Sequence, residues 1–308
     1  VKQRQSGSVG SVNSDDPSPP KKRDKYGCIN WQPQSLPEGQ TEHSQATLKQ
    51  ELKEMADQDS GEDSKDVKEK MALTYYSQRC DINGGASVHT LLNDWPYLFT
   101  KKGMSYHFQN LIGMDLETTM TSTLSIKSPR VQAFMKSLTK KEICNILEDT
   151  SSANKVVGNW TPEQPGMILC IMAYFGEDSN HLFQVTDKTS TASDVEKLPL
   201  PSTPCVVACG DSLLTSRLFM LTADKIVIND NIPLFETALK LLMASFYCLN
   251  IQYPEGAAST LEFIQRCFLR INPDGGSKVS RGNAKSSSMS KQVVGLINRM
   301  ADYEWTSD

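Results

Sequence analysis

Ser212 is the side chain in this sequence that most resembles a catalytic nucleophile. It lies in Gly210-Asp211-Ser212-Leu213, directly after an apolar run that ends at Cys209, and several hydrolases hold their serine at the end of a buried strand. Such a serine needs a histidine to take its proton, which esterases of this type carry downstream of the serine. All histidines of the chain precede Ser212: His43, His89, His107 and His181. We therefore predict that this segment is a strand end entering a turn, and that the protein is not an enzyme.

Metal and cofactor sites have no complete motif in the sequence. Cys205 and Cys209 are the nearest candidates for a zinc pair, but their spacing along one strand is too wide for a single ion without a bend. A thiol enzyme that pairs one of these cysteines with His181 is not supported by any spacing. Neither common glycine-rich phosphate loop occurs, so we expect no metal and no cofactor. The 36 acidic residues leave a dispersed carboxylate site open.

Composition limits the protein's partners and its compartment. The chain has 308 residues and a formal net charge of −4, so no global basic field attracts nucleic acid or anionic membrane. Its eight cysteines include no Cys-x-x-Cys pair, which favours free thiols in the nucleus or cytoplasm. The longest apolar run, Met167 to Phe175, is far shorter than the roughly 20 residues of a membrane-spanning helix. The chain begins with Val1 in a polar stretch, so we expect no signal peptide and a longer parent protein.

One local basic cluster stands out near the N-terminus. It consists of Lys21, Lys22, Arg23 and Lys25. Clustered cations on a polar arm can contact an import receptor or nucleic-acid phosphates, or can simply be a solvated charge run. The sequence leaves these alternatives open.

An aromatic run gives a second candidate surface. Trp95, Tyr97 and Phe99 alternate in Trp95-Pro96-Tyr97-Leu98-Phe99. Their rings can form a knob that binds a partner, or they can fill the core at a turn between two helices.

A serine cluster near the C-terminus is a candidate for modification. Ser286, Ser287 and Ser288 lie in a Gly- and Ser-rich linker before the last predicted helix. Phosphorylation there would change how that helix docks.

Periodicity divides the chain into three regions. Residues 1–65 are predicted to be a disordered arm with the basic cluster and room for a short helix, since Leu48, Leu52 and Met55 recur at helical spacing. Residues 66–150 are predicted to be a helical region, with Ser87 and Asp115 as helix caps. Whether the chain has one domain or two stays open.

Residues 151–308 are predicted to combine helices with a small antiparallel sheet at about 204–230. The sheet is expected to pack on a very apolar helix from Leu234 to Ile251. A polar stretch at 186–203 is predicted to be a long surface loop, and a helix from about Lys291 to Tyr303 closes the chain. The expected fold class is therefore α+β with helix dominant.

Five long segments carry a resemblance to a known family. They are KKRDKYGCINWQP (Lys21 to Pro33), VKEKMALTYYSQRCDIN (Val67 to Asn83), WPYLF (Trp95 to Phe99), LPSTPCVVACGDSLL (Leu200 to Leu214) and STLEFIQRCFLRINP (Ser259 to Pro273). They are similar to a family of vertebrate proteins, mainly from fish, labelled sterile alpha motif domain-containing protein 3-like. The resemblance implies no established reaction, ligand or catalytic residue. This chain has no recognisable copy of the sterile alpha motif itself, so the resemblance does not imply oligomerisation through that module.

Two functions from different classes follow. The leading prediction is a non-enzymatic protein-interaction or regulatory protein, with unknown protein partners, no membrane association and an oligomeric state that the sequence leaves open. The alternative is a nucleic-acid-associated protein derived from a mobile element, which binds phosphates through the basic N-terminal arm.

Overall fold

The fold combines many helices with one small sheet. The computed structural model describes residues 31–58, 61–157, 161–272 and 290–303. Within these ranges the helices are α1 (Glu42–Asp57), α2 (Lys65–Leu73), α3 (Tyr75–Asn83), α4 (Val88–Asp94), α5 (Lys101–Ile112), α6 (Leu116–Lys136), α7 (Lys141–Val157), α8 (Glu163–Phe175), α9 (Ala192–Val195), α10 (Phe235–Cys248), α11 (Ala258–Cys267) and α12 (Lys291–Asp302). The strands are β1 (Phe183–Thr186), β2 (Cys205–Cys209), β3 (Phe219–Ala223) and β4 (Ile226–Ile232). The helix-dominant α+β class is confirmed.

Short polar side chains begin the helices of the N-terminal half. The side chain of Ser87 accepts the backbone N–H of Thr90 at α4, and that of Asp115 accepts the N–H of Thr118 at α6. Each bond satisfies a donor that a helix leaves unpaired in its first turn, so these local sequences determine where the helices start.

Helix α1 extends the folded part of the chain into the region that we predicted as an arm. It has 16 residues, and its N-cap Thr41 and Ser44 form a reciprocal capping box. Leu52 is fully buried and Met55 packs against the same core. The apolar spacing of this segment therefore produces a helix that packs on the body of the protein.

The sheet is mixed, with the strand order β1-β2-β3-β4. β2, β3 and β4 pair antiparallel, with Cys205 opposite Thr222, as the sequence predicts for this part of the chain. β1 was not predicted, and it pairs parallel to β2, with Phe183 opposite Val206. The connection between these two parallel strands crosses one face of the sheet and contains α9.

The stretch that we predicted as a surface loop, residues 186–203, instead covers that face. Val195 is fully buried and Leu200 is 4% exposed, and both pack against Val207 and Cys209 of β2. The alternate residues of β2 face the main core on the opposite side. The prediction of a surface loop was wrong because this polar stretch contains a few apolar side chains. These side chains are enough to cover one face of a sheet this small.

Helix α10 is the centre of the molecule. Thirteen of its 14 residues are buried, Leu234 precedes it as N-cap, and it packs against α5, α6, α8 and three strands. A single cluster of buried apolar side chains runs from Leu52 to Leu296. Residues 66–150 and 151–308 thus share one core in the described part of the chain.

The described residues also bear on membrane insertion and on the oxidation state of the cysteines. No helix in the described ranges is both long and apolar enough to cross a bilayer. The cysteines described there are free thiols.

Candidate partner-binding pocket

Gly103 allows two elements to approach each other closely at the start of α5. A Cβ atom on this glycine would lie 1.7 Å from the carbonyl oxygen of Tyr97, which belongs to the 3₁₀ helix Pro96–Phe99. The hydroxyl of Thr100 accepts the N–H of Gly103 at 3.1 Å and donates to the carbonyl of Tyr97 at 3.0 Å. No larger residue fits at this position without a shift of the backbone.

This turn, α2 and α5 line an apolar pocket of about 270 Å³. Val67, Met71 and Ala72 line it from α2, and Tyr97 and Tyr106 line it from the turn and α5. The side chain of Tyr106 is 38% exposed. An exposed aromatic ring beside an apolar concavity is typical of the anchor positions in protein interfaces.

Charged side chains surround the opening of the pocket. Lys102 pairs with Asp63, and Lys68 lies 3.4 Å from the same carboxylate. Lys65 lies 3.5 Å from Glu69. The hydrogen bond from Lys102 lowers the pKa of Asp63, so this carboxyl stays ionised. The pocket therefore has an apolar floor and a rim of both charge signs, as protein interfaces commonly have.

A buried polar network supports the pocket from inside. The amide nitrogen of Gln78 donates to the carbonyl oxygen of Met71, a lining residue, at 3.0 Å. The Oε1 atom of Gln78 lies 3.1 Å from Nδ1 of His107, whose Nε2 lies 3.4 Å from Nη1 of Arg79. Because an arginine can only donate, Nε2 accepts and the imidazole proton is on Nδ1. Burial, together with the nearby Arg79 cation, lowers the pKa of His107 well below its usual value.

Arg79 connects this helical part of the chain to the central helix. Its Nη1 donates to the carbonyl oxygen of Cys248 at 2.8 Å, and its Nε donates to the carbonyl oxygen of Trp31 at 3.1 Å. Its Nη2 donates to Asn83 at 3.1 Å. The sequence analysis missed this residue, because an arginine in a polar helix gives no local sign that it is buried.

Ser212 lies in a turn after β2. Its hydroxyl is 2.9 Å from the hydroxyl of Thr215, and its carbonyl oxygen accepts the N–H of Ser216 at 3.0 Å. A Cβ atom on Gly210 would lie 2.6 Å from Oγ of Ser216, so the glycine lets this turn close tightly. Within the described residues, the hydroxyl of Ser212 thus contacts Thr215 rather than a histidine.

The aromatic run does not form an exposed surface. Trp95, Tyr97 and Phe99 are 1%, 5% and 2% exposed. Nε1 of Trp95 donates to Asp81 at 2.9 Å, and the ammonium of Lys49 lies 4.7 Å from the Trp95 ring centroid. We therefore correct the knob interpretation: these rings fill the core between α1, α4 and α5, and only Tyr97 contributes to the pocket wall.

Two other groups of predicted site residues lie outside the described ranges. They are the basic cluster, Lys21, Lys22, Arg23 and Lys25, and the serine cluster, Ser286, Ser287 and Ser288. Both therefore stay predictions from the sequence.

The cysteines of β2 are buried rather than presented to a ligand. Burial raises the pKa of Cys205 to about 12 and also raises the pKa of Cys209. A protonated thiol is a poor metal ligand and a poor nucleophile. Among the residues that the structure describes, no group of three or more His, Cys, Asp or Glu side chains is placed to hold a metal ion.

Comparison with known families identifies one matching segment. Residues 42–100 match a family model described as "Sterile alpha motif domain-containing protein 3, helical domain". The match confirms the family resemblance for α1 to α4 and the 3₁₀ helix, and it includes the α2 wall of the pocket. Searches of curated proteins and of solved structures found no significant match.

Proposed function

We propose that this chain, which carries over residues 42–100 a helical domain of the sterile alpha motif domain-containing protein 3 family, is a non-enzymatic protein-interaction protein of the nucleus or cytoplasm. The observation that carries the proposal is the apolar pocket between α2, the 3₁₀ turn and α5, with Tyr106 exposed beside it. The partner inserts an apolar side chain into this pocket.

The apolar lining of the pocket favours a side chain over a cofactor or metabolite. Sites for small molecules usually measure about 300–1,000 Å³ and contain a few convergent polar groups. This pocket measures about 270 Å³ and its lining is almost entirely apolar. It suits one large aliphatic or aromatic anchor, the kind of residue that supplies much of the binding energy of an interface.

The charged rim adds orientation rather than affinity. Lys65, Lys68 and Glu69 are all exposed, and exposed ion pairs contribute little to stability. A partner segment with both charge signs around its apolar anchor can replace these pairs without burying an unpaired charge. We therefore expect a partner peptide with an apolar residue flanked by Lys, Arg, Asp or Glu.

A pocket-filling substitution tests the proposal in cells. The tagged chain would be purified with and without nuclease treatment, and the bound proteins would be identified by mass spectrometry. Ala72→Trp fills the pocket from its exposed rim position, and we expect it to reduce partner recovery by roughly tenfold or more. Ala46→Trp places the same ring on an exposed position of α1 and should retain the partners.

Thermal unfolding of both variants near the wild-type temperature would establish that each is folded. Recovery of the same partners with Ala72→Trp would reject the pocket. Loss of all partners on nuclease treatment would instead favour the nucleic-acid alternative. In that case deletion of residues 1–30, which removes Lys21, Lys22, Arg23 and Lys25 but keeps Trp31, should abolish binding and flatten its salt dependence.

A further inference from the structure

An irregular segment, residues 31–40, precedes α1 and contacts α3. It contains no helix or strand, and none of its ten residues is buried. The backbone carbonyl of Trp31 accepts hydrogen bonds from Nε of Arg79 and Nδ2 of Asn83, each at 3.1 Å. Nδ2 of Asn83 also donates to Oε1 of Gln32 at 3.2 Å. We call residues 31–40 the strap.

The strap is held more weakly than the residues that it contacts. Arg79 is fully buried, whereas Trp31 is only partly buried against the core. Segments with few buried apolar contacts open at a small part of the free energy of global unfolding. The strap can therefore leave α3 while the helices stay folded.

Two sets of contacts connect the strap to His107 of α5. The Tyr75 ring lies between two others, with its centroid 6.2 Å from that of Trp31 and 4.8 Å from that of His107. Arg79 forms the second connection, because its Nε donates to the Trp31 carbonyl and its Nη1 lies 3.4 Å from Nε2 of His107. Both connections end at the same buried imidazole.

The hydrogen bonds beyond His107 reach both walls of the pocket. Because Arg79 donates to Nε2 of His107, the imidazole proton is on Nδ1 and is donated to Oε1 of Gln78 at 3.1 Å. With its oxygen held there, the amide of Gln78 donates an N–H to the carbonyl oxygen of Met71 at 3.0 Å. Met71 lines the pocket from α2, and Tyr106, the neighbour of His107, lines it from α5. Each bond in this chain is thus oriented by the one before it.

We propose that the strap regulates the pocket: with the strap in place the pocket binds its partner, and displacement of the strap weakens this binding. The inference rests on the proposed function, because it concerns the same pocket. Displacement removes the Trp31 carbonyl from Nε of Arg79, so the guanidinium is no longer held beside His107. The imidazole proton then moves between its two nitrogens, and a ring protonated on Nε2 places two acceptors, its Nδ1 and Oε1 of Gln78, against each other. The amide of Gln78 turns away, and the α2 wall loses its bond at Met71.

Hydrogen exchange measures this coupling without a partner. Trp31→Ala removes the ring that anchors the strap, and we expect the protected amides of α2 to exchange roughly fivefold faster. Trp31→Phe keeps an aromatic ring against Tyr75 and should retain near-wild-type exchange. Leu296→Ala removes a fully buried side chain from α12 and is the control for general destabilisation. Unchanged exchange of α2 in Trp31→Ala, or the same increase in Leu296→Ala, would overturn the proposal.

A second substitution shows whether the buried network carries the effect. Gln78→Met removes the bond to Met71 and keeps a side chain of similar length. In this background Trp31→Ala should not increase α2 exchange further, because the link between the strap and the α2 wall is already absent. An equal increase in both backgrounds would contradict the proposal. Thermal unfolding of each chain establishes that the variants are folded.

Partner recovery separates this inference from the proposed function. The tagged chain with Trp31→Ala should recover roughly fivefold less partner than the wild type, and Trp31→Phe should recover as much as the wild type. Full recovery with Trp31→Ala but loss with Ala72→Trp would overturn the regulation and leave the pocket function standing. Full recovery with both Trp31→Ala and Ala72→Trp would reject the pocket function and the regulation with it.

Discussion

His107 illustrates how this protein accommodates a buried titratable side chain. The imidazole lies between Gln78 and Arg79, and its ring centroid is 4.8 Å from that of Tyr75. With the proton on Nδ1, the neutral ring satisfies both neighbours, whereas a charged ring would place two cations side by side. The network therefore depends on a neutral histidine.

Acidification should destabilise the protein through this residue. The unfolded chain takes up a proton at His107 below about pH 6.5, its usual pKa, whereas the folded chain does not. This contribution to stability is complete above that pH and is lost as the pH falls toward the lowered pKa of the folded state. Between pH 6.5 and 5.5 the wild type should lose about 1 kcal/mol more than His107→Gln.

Urea unfolding of both chains at pH 7.5, 6.5 and 5.5 measures this difference. His89→Gln changes an exposed histidine and serves as the control, which should keep the wild-type slope. An unchanged slope in His107→Gln would contradict the prediction.

At the scale of elements, the starts of α6 and α10 are joined by one lysine. Nζ of Lys240 lies 2.9 Å from Glu117 in the first turn of α6 and 2.7 Å from Glu236 in the first turn of α10. Lys240 is 4% exposed. Burial raises the pKa of Glu236, but hydrogen bonds from Lys240, Gln164 and Thr121 outweigh burial and leave this pKa below its usual value. The carboxylate of Glu236 is therefore charged at neutral pH.

Lys240→Met should leave these two carboxylates facing each other without their shared cation. We expect a loss of about 2–4 kcal/mol at pH 7, and a smaller loss at pH 4, where protonation of Glu236 relieves the repulsion. Chemical unfolding at the two pH values measures both quantities. Lys65→Met breaks the exposed pair with Glu69 and should cost less than about 0.5 kcal/mol. Equal losses in the two variants would reject the role of Lys240 as a buried connection.

At the scale of the whole molecule, the main apolar core, which both regions share, makes the helical and α+β regions depend on each other. α10 packs against α5 and α6 and also against the sheet. Arg79 adds a polar connection through the carbonyl of Cys248. Neither region can lose its structure without exposing apolar surface of the other.

The whole chain should therefore unfold in one calorimetric transition, with equal calorimetric and van't Hoff enthalpies. Phe108→Ala in the first region and Phe263→Ala in the second each remove a fully buried ring. Each should lower the temperature of the same transition, at a cost of about 3–5 kcal/mol. Two separable transitions, each sensitive to only one substitution, would show two independent domains.

Local chemistry in the sequence by itself determined much of the secondary structure. Ser87 and Asp115 begin helices because their side chains satisfy the first free N–H groups. Strand β2 could be predicted because it is an apolar run bounded by Pro204 and Gly210. The burial of α10 could be predicted because apolar residues lie on nearly every side of this helix. These features depend on residues within a few positions of one another, so a single sequence contains the information.

Only the tertiary structure decided what each apolar or polar side chain faces. Periodicity shows which face of an element is apolar but not which element covers it, so the burial of Trp95 and the cover that Val195 gives the sheet could not be derived. The bond from Arg79 to Cys248 joins residues 169 positions apart. The pocket depends on the close approach at Gly103. Such sites arise from the relative placement of distant segments, which packing of the entire core determines.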